Sequence, residues 1–311
     1  LNVNPAGGTL TISPTTTQVT VGNPISDITM TYSHTTTVYP WQSGVENETE
    51  ILIYGRVSTF DMAIDTGNQG EVAVVYGFTD SDNTGTMALS YEFDGVTSDY
   101  VFQDNGADTG FRPSFVIDSQ GALHISYINK TSQMVEYLTN SSGAWDLEQL
   151  GPSVVCCTVP QGQISPGTTG TAIALDPISE AIHILATAYD GANHNLIHYT
   201  DETGVWTDTT ISDTTENDGF SPKIVIDGDN NIHSAYHSDA TGPVKLKISS
   251  RINGVWQNET IPSLSPNSGI NLDMVIDSQD FIHIMANAGS WGHVYSLSLI
   301  HISEPTRPID I

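Results

Sequence analysis

The sequence predicts an all-β chain made of tandem four-stranded antiparallel units, and three observations lead there. Apolar residues rarely recur at helical spacing; they fall in short alternating or continuous runs between Gly, Asn, Asp and Ser turns. Five of these runs end in Asp, at Asp65 (DMAID), Asp118 (SFVID), Asp176 (AIALD), Asp227 (KIVID) and Asp277 (DMVID), at intervals of 53, 58, 51 and 50 residues. Further short strands follow each Asp in a fixed order, so one unit of four strands occupies roughly fifty residues, the period of a β-propeller blade. An immunoglobulin-like array needs a period nearer ~100 residues, and a parallel β-helix a much shorter one.

The four strands of a unit are taken here as A to D, from the channel outward. Strand A ends at the repeated Asp. Strand B opens with His in four copies: His124 (LHISY), His183 (IHILAT), His233 (IHSAY) and His283 (IHIMA). The first copy reads EVAVVYGF and has no His. Strand C reads MVEYLT, LIHYTD and VKLKIS, and strand D starts at Trp145, Trp206 and Trp256 after a Gly turn. At least five blades are visible. Six to eight are expected for the intact protein, and five close only if residues 48–57 (ETEILIYGRV) supply the missing outer strand.

The ends differ from the repeat. Residues 1–45 are expected to be lead-in strands, residues 46–296 the propeller, and residues 297–311 a non-native tail. The stretch TLTISPTTTQVTVGNPISDITMTY (9–32) resembles the opening strands of immunoglobulin-like repeats of large surface proteins. The stretch LSLIHISEPTR (297–307) resembles a translated sequencing adapter, which places the end of native sequence near Ser296 and a truncated environmental read behind it. The chain opens at Leu1 without Met or signal peptide, as a mature form or a fragment does.

The repeat "apolar–Asp–x–x–Gly–x–x–His–Ile–x–Tyr … Gly–x–Trp" over residues 58–296 resembles those of secreted bacterial and archaeal β-propellers, loosely akin to the sialidase-like group. That resemblance implies the fold; its members include lectin-like modules, glycosidases, polysaccharide lyases and adhesin segments. A sialidase holds its substrate carboxylate with three arginines. The repeat region has Arg56, Arg112 and Arg251, and Arg251 falls in a C–D turn on the opposite side. The Asp-box pattern Ser–x–Asp–x–Gly–x–x–Trp is also absent. Sialidase activity is therefore not expected.

Composition narrows the partners. Lys and Arg total 8 against 36 Asp and Glu, a formal net charge of −28. Nucleic acid requires a basic surface that releases counterions, so it is excluded as a partner; polyanionic surfaces are disfavoured unless a divalent cation bridges them. The acidity suits solubility in a salty medium, where repulsion is screened; its alternative is a set of Ca²⁺ sites. No apolar run is long enough to form a membrane-spanning helix. A composition rich in Thr, Ser, Asn, Gly and Asp and poor in Lys points to an extracellular or cell-surface location, with which the sequons at Asn47, Asn129, Asn140 and Asn258 are compatible.

The repeat also sorts the residues that could carry chemistry. An Asp at a strand-to-turn position accepts hydrogen bonds from the turn backbone, so the repeated Asp residues read as structural. DGDNN at Asp227–Asn231 mimics the start of a Ca²⁺ loop but lacks the distal bidentate Glu. Asp227 and Asp229, with Asp80 and Asp82, are the weak Ca²⁺ candidates. Catalysis needs one base and not a copy in every blade, so the repeated His residues read as packing.

Functional candidates lie where the repeat breaks, on the face formed by the B–C and D–A loops. There the non-repeating residues are Asp80, Asp82, Arg112, His194, His237, Asp239, Trp291 and His293, and the B strands end in Tyr76, Tyr127, Tyr189 and Tyr236. Aromatic rings beside carboxylates and imidazoles suit sugars, whose C–H faces stack while their hydroxyls take the polar groups. Adjacent Cys156 and Cys157 occupy the longest D–A loop (151–168); outside the cytosol they are expected to form a vicinal disulfide that stiffens it. The leading expectation is a secreted recognition module that binds a glycan or an extracellular protein. One alternative is a polysaccharide lyase or glycoside hydrolase using His194 or His237 as base and Tyr189 or Tyr236 as acid. A second is an adhesion spacer. An open propeller edge would also favour self-association.

Overall fold

The fold is taken from a computed structural model, which describes residues 8–13, 29–34, 56–65, 71–79, 85–93, 96–102, 111–129, 131–151, 170–212, 214–238, 245–261, 268–288 and 293–299. The chain divides into two compact units, Leu1–Glu50 and Ile51–Ile311. The first contains the antiparallel pair β1 (Gly8–Ser13) and β2 (Thr29–His34).

The second unit is all-β, and its strands form five antiparallel sheets in sequence order. The first is β3 (Arg56–Asp65), β4 (Glu71–Thr79), β5 (Gly85–Phe93) and β6 (Val96–Phe102). The second is β7 (Phe111–Ile117), β8 (Leu123–Asn129), β9 (Met134–Thr139) and β10 (Asp146–Leu150). The third is β11 (Thr171–Leu175), β12 (Ile182–Tyr189), β13 (His194–Thr200) and β14 (Thr207–Thr210). The fourth is β15 (Phe220–Ile226), β16 (Ile232–Ser238), β17 (Lys245–Ile252) and β18 (Val255–Thr260). The fifth has three strands among the described residues: β19 (Ser268–Ile276), β20 (Ile282–Ala288) and β21 (His293–Leu299).

Each sheet is an up-and-down meander, and the leading strands touch in order: β3 on β7, β7 on β11, β11 on β15, β15 on β19. This is blade-on-blade packing of the propeller type. Apolar clusters fill the junctions. Val135, Tyr137 and Leu150 of the second blade meet Ile173, Ile184 and Tyr199 of the third, and Leu185 and Leu196 of the third meet Tyr236 of the fourth. The outer strands β14 and β18 carry mostly exposed polar residues, which protect a free edge from pairing. Two of the Trp residues that open outer strands lean on the preceding blade: the Trp206 ring meets Tyr137 edge-on, and Trp256 meets His198 in the same way.

The repeated Asp and His, which the sequence presents as separate signals, form one device. Asp227 Oδ1 accepts the backbone N–H of Asp229 and Asn231, closing the A–B turn. Its Oδ2 lies 3.1 Å from His233 Nε2, while His233 Nδ1 lies 2.9 Å from the Ser250 hydroxyl. Asp118 binds Gln120, Ala122 and His124 in the same way, with the Tyr137 and Thr139 hydroxyls 2.5 and 3.2 Å from His124 Nδ1. Asp277 binds Gln279, Phe281 and His283. The third residue after each Asp has a left-handed backbone, and Gly121, Asn230 and Asp280 are types that tolerate it.

Candidate functional site

On the B–C/D–A face, the best-defined departure from the repeat is the rim between the third and fourth blades. The connection from β14 to β15 folds back onto strand β13. Ile211 N–H donates to Leu196 O, Leu196 N–H to the Ser212 hydroxyl, and Asp218 N–H to His194 O. Asn217 Oδ1 accepts the His194 backbone N–H at 3.0 Å and sits 3.4 Å from its Nδ1. Gly219 closes the arrangement. Its φ is +84°, Thr187 donates its hydroxyl to its carbonyl at 2.6 Å, and a Cβ there would stand 2.7–2.8 Å from the Leu196 backbone. Any side chain at that position displaces the strand beneath it.

A buried charge pair holds this connection to the next blade. Lys247, from β17, places Nζ 2.6 Å from Asp218 Oδ2 and 3.1 Å from Glu216 Oε2. The Asp218 side chain is fully buried. Burial pushes the Asp218 carboxyl above its ordinary value, against the pull of Lys247. Burial acts to lower the Lys247 ammonium, but the two carboxylates outweigh it and hold Lys247 above the usual range. Removing one member of such a pair strands the other.

Next to the clasp runs a row of rings. Tyr189 and His194 lie 5.0 Å apart by centroid, His194 and Phe220 5.1 Å, Phe220 and His237 5.4 Å. Tyr189 is half-buried and its hydroxyl donates to Gly191 O. The other three are buried. His237 is held down at about 4, by burial first and then by the charge of Arg112, so it is neutral at physiological pH. Arg112 is half-buried, which lowers its guanidinium, and its side chain runs alongside Gly170, where a Cβ would come within 3.3 Å of its Cδ. Arg112 and Ser221 occupy equivalent β-bulges with φ near +50°. Bulges of this kind re-aim side chains at sheet rims.

The structure thus brings Tyr189, His194 and His237 together, with Arg112 close enough to bear on His237. It places Tyr127 and Tyr236 in the core instead, 5 % and 0 % exposed, because both project from the side of their sheets that packs on the preceding blade. The Tyr236 hydroxyl is 3.1 Å from Ser249. These two rings pack the blades and do not stand at the rim where the sequence reading put them. Asp227 directs both carboxylate oxygens into its own turn and His233, and Asp229 is exposed beside it. Among the described residues no group of three or more His, Cys, Asp or Glu could hold a metal. Tyr76 lies on β4 and His293 opens β21. Asp80, Asp82, Cys156, Cys157, Asp239 and Trp291 lie outside the described residues. Arg251 bonds Glu202 at 2.6 Å on the opposite, C–D side. Of the sequons, Asn129 is buried, with its amide donating to Glu136.

Asn217, Asp218, Gly219 and Lys247 escaped the sequence reading. One signal was present: Gly–Phe–x–Pro occurs at both 110–113 and 219–222, where the connection enters a new blade.

No family model matches the chain, and no curated protein matches it. Solved structures do. The chain is similar to a triple arginine-to-alanine mutant of AofleA from Arthrobotrys oligospora, at 13 % identity over 80 % of this chain and 69 % of that one, with a TM-score of 0.53. It also aligns with an ulvan lyase of a polysaccharide lyase family, at 12 % identity over 73 % of this chain and 63 % of that one, TM-score 0.48. A fucose lectin from Kordia zhangzhouensis in complex with methyl-fucoside aligns at 16 % identity over 47 % of this chain and 96 % of that one, TM-score 0.33. At such identities the AofleA likeness speaks for the fold.

Proposed function

We propose that the protein is an extracellular recognition module that binds a glycan at the B–C/D–A face, with Tyr189 as the stacking ring. The observation that carries this reading is the rim of the third and fourth blades. Its side chains depart from the repeat, and they set a half-exposed aromatic ring beside amides and carboxylates on a rigid support. Asp190 Oδ1 accepts the N–H of Ala192 and Asn193, Asn193 donates its amide to Thr214 O, and Asn195 donates to Asp190 Oδ2. Ring faces next to fixed amide and carboxylate groups are the usual means of holding a sugar.

Binding is favoured over turnover by the partners of the candidate base and acid. The Asn217 amide oxygen accepts the His194 backbone N–H and stands 3.4 Å from its Nδ1, and the Tyr189 hydroxyl is engaged by a backbone carbonyl. His237 is buried and neutral. A complete propeller of six to eight blades, and the extracellular location, belong to the same proposal.

A glycan array followed by titration calorimetry tests it, with reducing ends and unsaturated uronate followed in parallel. Expected is binding without turnover, weakened at least tenfold by Tyr189→Ala, the loss of about 1.4 kcal/mol. Turnover abolished by His194→Ala, or a Tyr189→Ala variant that binds as the parent does, would overturn it.

A further inference from the structure

Two cations of the B–C/D–A rim sit in opposite surroundings. Lys247 meets Asp218 and Glu216, which hold its ammonium above the usual range. Arg112 is half-buried, and burial holds its guanidinium below its ordinary value. A cation whose burial outweighs the help of its neighbours gains most from an incoming anion.

The repeat explains how Arg112 comes to stand there. Arg112, Gly170 and Ser221 each lie six residues before the repeated Asp of their blade, so they hold the same place in three consecutive blades. Glycine in the third blade leaves a track for the arginine of the second. The Arg112 side chain passes over buried Gly170, where a Cβ would stand 3.3 Å from its Cδ and 3.4 Å from its Cβ. The charge of Arg112 bears on His237 of the fourth blade. A cation anchored in one blade thus crosses the next and acts on a third. The bulge at Arg112, with φ +50°, sets the direction of its side chain.

His237 supplies an independent observation. It ends the row of rings that begins at Tyr189, and it is 2 % exposed. Its Nδ1 is buried with no hydrogen-bond partner among the described residues. In the Nδ1–H tautomer that nitrogen is a donor in want of an acceptor, a state that costs free energy until it is relieved.

Resting on the glycan reading above, we infer that the ligand carries a carboxylate, as an acidic sugar residue of the uronate class, and that this group docks on the Arg112 guanidinium next to His237 while another sugar of the same ligand stacks on Tyr189. The planar guanidinium fork matches a carboxylate through two parallel hydrogen bonds. The formal charge of −28 repels polyanions at long range, so the ligand is a glycan with one acidic residue and not a polyuronate.

A glycan array in which each acidic member stands beside its carboxyl-reduced, neutral counterpart tests this, followed by calorimetry of the whole chain on the best pair. The acidic member should bind at least tenfold more tightly at neutral pH, the scale of one charge-assisted contact. Arg112→Gln should bring the ratio of the two affinities close to one. Gly170→Ala leaves every charge in place and presses on the path of the arginine; it should lower the ratio about threefold, and it carries the test if Arg112→Gln does not fold. Equal affinity for the two members, or a preference that survives these substitutions, would overturn the inference and leave the glycan reading standing. A chain that binds no glycan on the array would overturn both.

Discussion

The A–B turns of the third and fourth blades have the same origin in the repeat and different outcomes. In the fourth blade His233 follows Asp227 by six residues, and the imidazole meets the carboxylate that caps the turn. In the third, Pro177 and one additional residue place His183 seven after Asp176. Asp176 still caps its turn, accepting from Ile178 and Ser179. His183 instead turns its Nδ1 to His198 Nε2, 3.0 Å away, with the two rings stacked at 6°. One inserted residue thus exchanges the imidazole–turn carboxylate pair for an imidazole–imidazole pair, with Glu202 Oε1 3.8 Å from His183 Nε2. His183 is pushed below its ordinary value chiefly by burial, and His198 to about 3 by burial, then by His183 and Arg251. Asp227 is lowered although burial opposes it, because Asn231 and His233 bond its carboxylate.

Removing the two caps tests the difference most strongly. Asp227→Ala deletes the acceptor of two turn amides and leaves the buried His233 Nε2 without its partner, which should cost about 3 kcal/mol. Asp176→Ala deletes only the turn acceptor, beside exposed residues, and should cost about 1 kcal/mol. Urea unfolding at neutral pH checks both. Equal losses would mean that the imidazole contributes nothing to the latch.

Acid separates the blades next. His198 titrates near 6.5 in the unfolded chain and near 3 in the fold. The unfolded state therefore takes up the proton first. Stability from the neutral pair is complete above about pH 6.5 and falls towards pH 3, by up to about 1.4 kcal/mol per pH unit. The Asp227 latch has the opposite charge logic. A depressed carboxylate keeps its contribution down to the ordinary Asp value near 3.9 and loses it only below. His198→Gln keeps a partner for His183 and removes the titration, so it should flatten the loss of stability between pH 6.5 and 4. An unchanged slope would place the acid sensitivity elsewhere.

The contrast also shows what was legible in the sequence. The blade period, the strand order and the structural nature of the Asp and His residues follow from spacing, because a turn of fixed length returns the same side chains to the same register. The pairing of Asp with His was not read, since it depends on which carboxylate oxygen faces the sheet. Tyr127 and Tyr236 were misplaced for a related reason. Strand ends near a rim still alternate sides, and these two fall on the side that packs on the preceding blade. The Asp218–Lys247 clasp joins residues 29 apart across a blade boundary, and no local pattern announces such a contact.

The last test converts one turn into the other. Replacing Asp176–Ala181 with the five residues Asp-Gly-Asp-Asn-Asn of the fourth blade brings His183 six positions from Asp176. The ring should then leave His198 and meet the carboxylate. Its titration, followed by NMR, should move upward from below the ordinary imidazole value, since a directly bonded carboxylate favours the charged ring against the burial and the Arg251 charge that now lower it. The graft also removes Glu180, whose carboxylate accepts the Ser119 N–H at 3.0 Å across the junction with the second blade. That contact is exposed and screened by solvent, and its loss offsets a small part of the new pair. The net change at neutral pH should therefore stay within about 1 kcal/mol, while the chain unfolds at lower pH than the parent. A His183 that keeps its low titration after the graft would show that the environment of His198, and not the length of the turn, decides which partner the histidine takes.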